Sequence, residues 1–127
     1  MLKHKHLLVH ALVKKPIVEK YVAEQWMNDL VSKIGMIKMA GPIVENCELP
    51  GNEGISAAVI LMTSHSVIHI WPLDEQPSIQ LDVYSCSDFS LETIWEHLQI
   101  MEPISCEYKF LDRETDFKTL DGGKKTF

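Results

Sequence analysis

Three β-rich runs in the middle of the chain constrain its fold more than any other feature. Residues 56–62, 65–71 and 79–86 are dominated by aliphatic and aromatic side chains, and turn-forming residues separate them. Only two residues lie between the first and second runs, so the two can pair across a tight turn. The centre of the chain is therefore predicted to be antiparallel β-sheet.

Two amphipathic segments flank this region and predict helices. Apolar residues recur at helical spacing over residues 16–34, where Pro16 suits a first turn and Gly35 supplies a stop. A second apolar stripe follows Asp88 and Ser90, either of which can cap a helix, and Pro103 ends it. Each helix can bury one face against a sheet.

The remaining β-rich runs complete an α+β pattern. They comprise residues 5–13, 36–40, 43–48 and 104–111. One helix after the first strand and another before the last strand indicate a two-layer sandwich: a largely antiparallel sheet with two helices on one face. We expect a single domain over residues 1–120, followed by a flexible tail over residues 121–127.

Charge and cysteine usage narrow the classes of function. Twelve Lys and Arg against eighteen Asp and Glu give a net charge of -6, which disfavours nucleic acid as a partner. No uncharged run is apolar enough for a membrane span, and the N-terminus does not resemble a secretory signal. Three cysteines without CxxC spacing indicate free thiols. These features predict a cytoplasmic protein.

The histidines do not predict a metal site. His65 and His69 share a strand face, but four residues separate them by about 13 Å, too far for one ion. His4, His6 and His10 also share a face, where a zinc or nickel site is a lesser alternative to a partly exposed strand. We therefore expect no metal.

A specific motif lies within the β-rich centre. It begins with Gly-Ile-Ser at 54–56, continues as SHSVIHIWP over 64–72, and ends as DVYSC over 82–86. This arrangement resembles the prokaryotic S-adenosylmethionine decarboxylases, which are small pyruvoyl-dependent enzymes. Such enzymes need no external cofactor, because their pyruvoyl group forms a Schiff base with the substrate amine.

The resemblance implies a self-cleaving proenzyme. The chain would split between Thr63 and Ser64 into a β chain, 1–63, and an α chain, 64–127, with a pyruvoyl cofactor derived from Ser64. His69 would remove the serine α-proton, and Ser56 would assist the acyl shift.

The resemblance also implies the later steps and the partners. Cys86 would return a proton to the substrate after carbon dioxide leaves, while Trp71, Leu49 and His65 are candidates for substrate binding. The substrate would be S-adenosylmethionine, the product would serve spermidine synthesis, and the enzyme would be a homodimer.

Departures from the family pattern leave two alternatives open. Thr63 and Leu73 stand where many members have acidic residues, and Leu49-Pro50 stands where an aromatic side chain usually stacks on adenine. The first alternative is a pyruvoyl-dependent arginine or ornithine decarboxylase on the same scaffold. The second is an uncleaved, non-catalytic homologue that acts as a binding or regulatory partner.

Overall fold

The computed structural model describes residues 3–127, which form an antiparallel sheet of seven strands and two α-helices. In chain order the elements are β1 (Lys5–Val13), α1 (Lys20–Lys33), β2 (Lys38–Cys47), β3 (Gly54–Leu61), β4 (Ser64–Trp71), β5 (Ser78–Ser85), α2 (Leu91–Leu98) with a 3₁₀ turn at Gln99–Met101, β6 (Pro103–Asp112) and β7 (Thr119–Thr126). The strands are ordered β2-β3-β4-β5-β1-β6-β7 across the sheet. The predicted fold class, an α+β two-layer sandwich, is confirmed.

The core lies between the sheet and the helices. Alternate residues of β3, β4 and β5 are buried, as strand geometry requires when one face of a sheet is covered. Trp26 of α1 and Trp95 of α2 are both largely buried on this side. The opposite face of the sheet, here called the open face, carries no helix from residues 3–127.

The first helix begins later than its sequence pattern predicts. Residues 16–19 are not helical, and α1 starts at Lys20. The backbone N–H groups of Lys14 and Lys15 donate to the carbonyls of Glu102 and Met101, which ties this segment to the end of the second helical region. These bonds hold the chain outside the helix despite the suitable position of Pro16.

The predicted short strands 36–40 and 43–48 are wrong as separate elements, because they form the single strand β2. Gly41 and Pro42 lie between the two predicted segments. Pairing with β3 continues through them, with register shifts between Lys38 and Ala40 and between Ala40 and Ile43. A β-bulge of this kind absorbs the irregular residues without ending the strand.

The expected flexible tail, residues 121–127, is also corrected. It belongs mainly to β7, which pairs with β6 from Ser105 to Leu111. Gly122 and Gly123 lower the strand propensity of the segment, but pairing to a neighbouring strand overrides that propensity. The ring of Phe127 packs edge-on against Trp95 at 5.8 Å between centroids.

Candidate active site

The β3–β4 hairpin brings Ser56 and His69 together. These residues are direct cross-strand partners, and the Ser56 hydroxyl lies 2.6 Å from His69 Nδ1. His69 is exposed on the open face, so its other ring nitrogen is accessible to a second group. A hydroxyl paired with an imidazole in this way can orient the ring for proton transfer.

Ser64 and Cys86 form a second pair where β4 begins and β5 ends. Ser64 is only 6% exposed, and its hydroxyl oxygen accepts a 2.8 Å hydrogen bond from the Cys86 backbone N–H. The Cys86 thiol donates to the carbonyl of Met62 at 3.4 Å. This arrangement places a thiol and a hydroxyl beside the peptide bond that joins residues 63 and 64.

The residue before Ser64 has an unusual backbone conformation. Thr63 has φ = 51°, in the left-handed region that disfavours β-branched residues. This conformation costs roughly 1–2 kcal/mol relative to an ordinary one. The Thr63 hydroxyl donates a 2.8 Å hydrogen bond to the Met62 carbonyl, which helps to hold the turn. Backbone strain is therefore located directly at the 63–64 peptide bond.

The environments of two cysteines change their thiol pKa values in opposite directions. Hydrogen bonding with the side chains of Ser64 and Thr63 lowers the pKa of Cys86, outweighing the smaller effect of burial. Burial raises the pKa of Cys106 from 9.0 to about 11, despite the nearby charge of Lys125. Cys86 is therefore the better candidate for proton transfer, and Cys106 is a core residue.

The two pairs do not meet within one chain. Five positions along β4 separate Ser64 from His69, which corresponds to about 16 Å. An odd separation also directs the two side chains to opposite faces, in agreement with a buried Ser64 and an exposed His69. The strands pair as the sequence predicts, and within one chain this pairing leaves Ser56 and His69 remote from Ser64.

The three predicted substrate-binding residues lie in different places. The indole N–H of Trp71 donates to Asn52 Oδ1 at 2.8 Å, and Trp71 lines a cavity of about 250 Å³ with Ser56 and His69. Leu49 lies in the β2–β3 loop, 64% exposed, and does not line that cavity. His65 is on the open face, where its Nε2 is 3.5 Å from Asp82.

Sequence reasoning missed a cluster formed by His6, His65 and Asp82. His6 and His65 both stand opposite Tyr84, because β1 and β4 flank β5. The carboxylate of Asp82 accepts a 2.6 Å hydrogen bond from His6 Nε2. Burial raises the pKa of Asp82. The hydrogen bonds and charges of His6 and His65 together lower it by more, so the net pKa is below its usual value.

The sequence holds no local signal for this cluster. The sequence groups His6 with His4 and His10, and His65 with His69, because their even spacing predicts a shared face. Only the strand order β4-β5-β1 shows that residues separated by about sixty positions become neighbours.

The fold has a solved counterpart. The chain is similar to the crystal structure of the adenosylmethionine decarboxylase from Aquifex aeolicus, with a TM-score of 0.67 and 19% sequence identity over 88% of this chain and 91% of that one. Comparison with curated proteins gives no match. The architecture therefore defines a two-layer protein with the fold of a small decarboxylase.

The family is shown by sequence. The family model for S-adenosylmethionine decarboxylase matches residues 5–114, which include all the candidate site residues. The chain belongs to the S-adenosylmethionine decarboxylase family. Family and fold support a decarboxylase function of this type, with a small molecule as substrate. Within residues 3–127 no helix is both long enough and apolar enough to cross a membrane.

Proposed function

We propose that this protein is a self-processing, pyruvoyl-dependent decarboxylase that acts on S-adenosylmethionine and supplies decarboxylated S-adenosylmethionine for spermidine synthesis. The observation that carries the proposal is the position of Ser64, which directly follows the strained Thr63 and lies in hydrogen-bond contact with Cys86. One peptide bond, one hydroxyl and one thiol with a lowered pKa thus occupy the same end of the β3–β4 hairpin.

The first step is cleavage of the chain at the 63–64 peptide bond. The Ser64 oxygen attacks the Thr63 carbonyl carbon, the C–N bond breaks, and an ester replaces the amide. A base then removes the Ser64 α-proton, and the Thr63 carboxylate leaves as the ester C–O bond breaks. Water replaces the nitrogen of the resulting imine, ammonia departs, and the fragment 64–127 begins with a pyruvoyl group.

The residues around Ser64 fit this group. Ser64 is nearly enclosed, which would shield a ketone from bulk water, and the Cys86 N–H that now donates to its hydroxyl could donate to an oxygen at the same place. The pyruvoyl group supplies an electron sink for the bond that breaks when carbon dioxide leaves. The lowered pKa of the Cys86 thiol suits the return of a proton to the substrate α-carbon.

A second copy of the chain is required if His69 acts as the base. His69 and Ser56 of one protomer are about 16 Å along the strand from their own Ser64. The open face that carries His69 holds a groove of about 640 Å³, and no helix among residues 3–127 covers it, so it is available to another protomer. We therefore infer a homodimer in which the Ser56–His69 pair of one chain serves Ser64 of its partner.

Mixed dimers test this arrangement. Ser64→Ala and His69→Ala chains carrying different tags are co-expressed, and denatured intact masses are measured. Neither variant alone should cut. In the mixed dimer the His69→Ala chain should cut, because its partner still supplies His69. As a matched control, His4→Ala, a histidine outside the lining of the open-face groove, should cut like wild type.

The outcomes separate the possible failures. The pyruvoyl fragment should be lighter by one NH₃ than a fragment that starts with serine. A wild-type chain of unbroken mass would reject self-processing and favour the non-catalytic partner role. A mixed dimer that stays uncut, although wild type cuts, would reject the exchange of His69 between protomers.

A basic amino acid is the second candidate substrate. It is favoured by Leu49 and Leu73, which are 64% and 73% exposed and offer no aromatic surface on which adenine could stack. Carbon dioxide release from S-adenosylmethionine, arginine and ornithine distinguishes the two. Turnover of arginine or ornithine alone would identify the protein as an amino-acid decarboxylase with the same self-processing chemistry.

A further inference from the structure

Three side chains of types that can ligate metals converge on the open face from three neighbouring strands. His6 lies on β1, Asp82 on β5 and His65 on β4, and β5 is the middle strand of the three. One ligand atom from each residue lies within 4.8 Å of the other two. Asp82 Oδ1 lies 2.6 Å from His6 Nε2 and 3.5 Å from His65 Nε2.

We propose that His6, His65 and Asp82 bind one divalent transition metal ion of the zinc class. Two imidazole nitrogens and one carboxylate oxygen are the donor set that zinc and its first-row neighbours prefer. Ligands at about 2.0–2.1 Å from a zinc ion are roughly 3.3 Å apart in tetrahedral geometry. The observed spacings bracket that value, so small side-chain rotations suffice.

The cluster is accessible but partly enclosed. The side chains of His6, Asp82 and His65 are 15%, 38% and 43% exposed. Tyr84 lies beside both imidazoles, with ring centroids 5.8 Å from His6 and 5.4 Å from His65. The aromatic ring limits the rotamers of the two ligands, which reduces the entropy lost on coordination. Three protein ligands would leave a fourth position for water or another small ligand.

Arg113 opposes metal binding in the present arrangement. Its Nη1 lies 3.2 Å from His6 Nδ1 and donates to it, so the ring proton sits on Nε2 and is donated to Asp82. Coordination through Nε2 requires that proton to move to Nδ1, where a guanidinium cannot accept it. Arg113 is exposed and can swing away, but its position weakens the site.

This arrangement gives opposite expectations for two kinds of variant. Removing His6 or His65 removes a ligand. Replacing Arg113 with Gln removes a positive charge and provides an amide oxygen that can accept the Nδ1 proton of His6. Such an outer partner strengthens metal binding by a ligating histidine. The Arg113→Gln variant should therefore bind zinc more tightly than the native chain.

The test is calorimetric titration of untagged, EDTA-treated protein with ZnCl₂, repeated with CoCl₂ to follow the visible spectrum of the bound ion. One ion per chain is expected, and MgCl₂ should give no saturable heat. His6→Ala and His65→Ala should each weaken binding by at least about tenfold, and Arg113→Gln should strengthen it severalfold. His4→Ala is the matched control, because His4 lies just before β1 and contacts Tyr84 but is not a ligand.

Circular dichroism and thermal unfolding show whether each variant is folded. Unsaturable zinc binding, or binding that His4→Ala weakens while His6→Ala and His65→Ala do not, would overturn the proposal. The uncut Ser64→Ala chain is titrated in parallel. Because no cluster residue belongs to the Ser64–Cys86 pair, zinc binding by this variant tests the metal site independently of self-processing.

Discussion

The buried thiol of Cys106 should make the stability of the protein fall at alkaline pH. Cys106 is 4% exposed on β6, opposite Ala11 of β1 and Lys125 of β7. Burial holds its pKa at about 11, against 9.0 for an ordinary thiol. Between these values the unfolded chain loses the thiol proton and the folded chain keeps it. Stability contributed by the neutral thiol is therefore complete below pH 9 and is lost as the pH rises towards 11.

The size of the effect follows from this pKa difference. Ionisation of the unfolded state alone should reduce the free energy of unfolding by about 2 kcal/mol at pH 10.5. Cys106→Ala abolishes this titration and leaves a small cavity, at a cost of roughly 1 kcal/mol near neutral pH. The variant should thus be less stable than the parent at pH 8 and more stable at pH 10.5.

Urea unfolding at pH 8, 9.5 and 10.5 measures the two free energies. The Ser64→Ala background is used so that only one uncut chain unfolds, and Cys86→Ala provides the same substitution at a less buried thiol. Subtracting variant from parent cancels the titration of lysines and tyrosines. A difference for Cys106→Ala that stays constant across this range would refute the role assigned to burial.

Three other predictions concern Ser64, Cys86 and His97. Ser64→Ala should fold, give a single uncut mass and release no carbon dioxide; a fragment ending at residue 63 would contradict the cleavage assignment. Cys86→Ala should still split but decarboxylate roughly 100-fold more slowly, measured as labelled carbon dioxide, and full turnover would remove the proposed proton donor. His97 Nε2 donates to the Trp26 carbonyl at 2.7 Å, and burial, with the nearby Lys33 charge, lowers its pKa, so stability should decline as the pH falls below about 6.5. His97→Gln should flatten this decline in thermal unfolding, and an unchanged slope would assign it to other groups.

Local patterns were sufficient for most of the fold. The enrichment of aliphatic and aromatic residues along β4 and β5 predicted both strands. The short connection at Thr63 and Ser64 predicted the hairpin, because a two-residue loop joins adjacent antiparallel strands. The predicted element boundaries were wrong at β7 and at the start of α1, where hydrogen bonds to segments distant in sequence determine the backbone conformation.

The candidate site was predictable as residue types and not as a geometry. The motif identified Ser56, Ser64, His69 and Cys86. It could not show that these residues form two pairs, which lie five positions apart along β4. The cluster of His6 with His65 depends on β1 lying beside β5, which is a long-range pairing with no local signal. Strand order is set by packing of the whole sheet.

The position of β1 in the sheet has a mechanical consequence for a chain cut after Thr63. The first fragment would own β1, β2 and β3, and the second would own the other four strands. However, β1 lies between β5 and β6, while β3 pairs with β4. The first fragment is therefore hydrogen-bonded to the second at two separate places in the sheet. Cleavage would therefore release neither fragment. The strands of the two fragments alternate within one sheet, and separating them requires unfolding both.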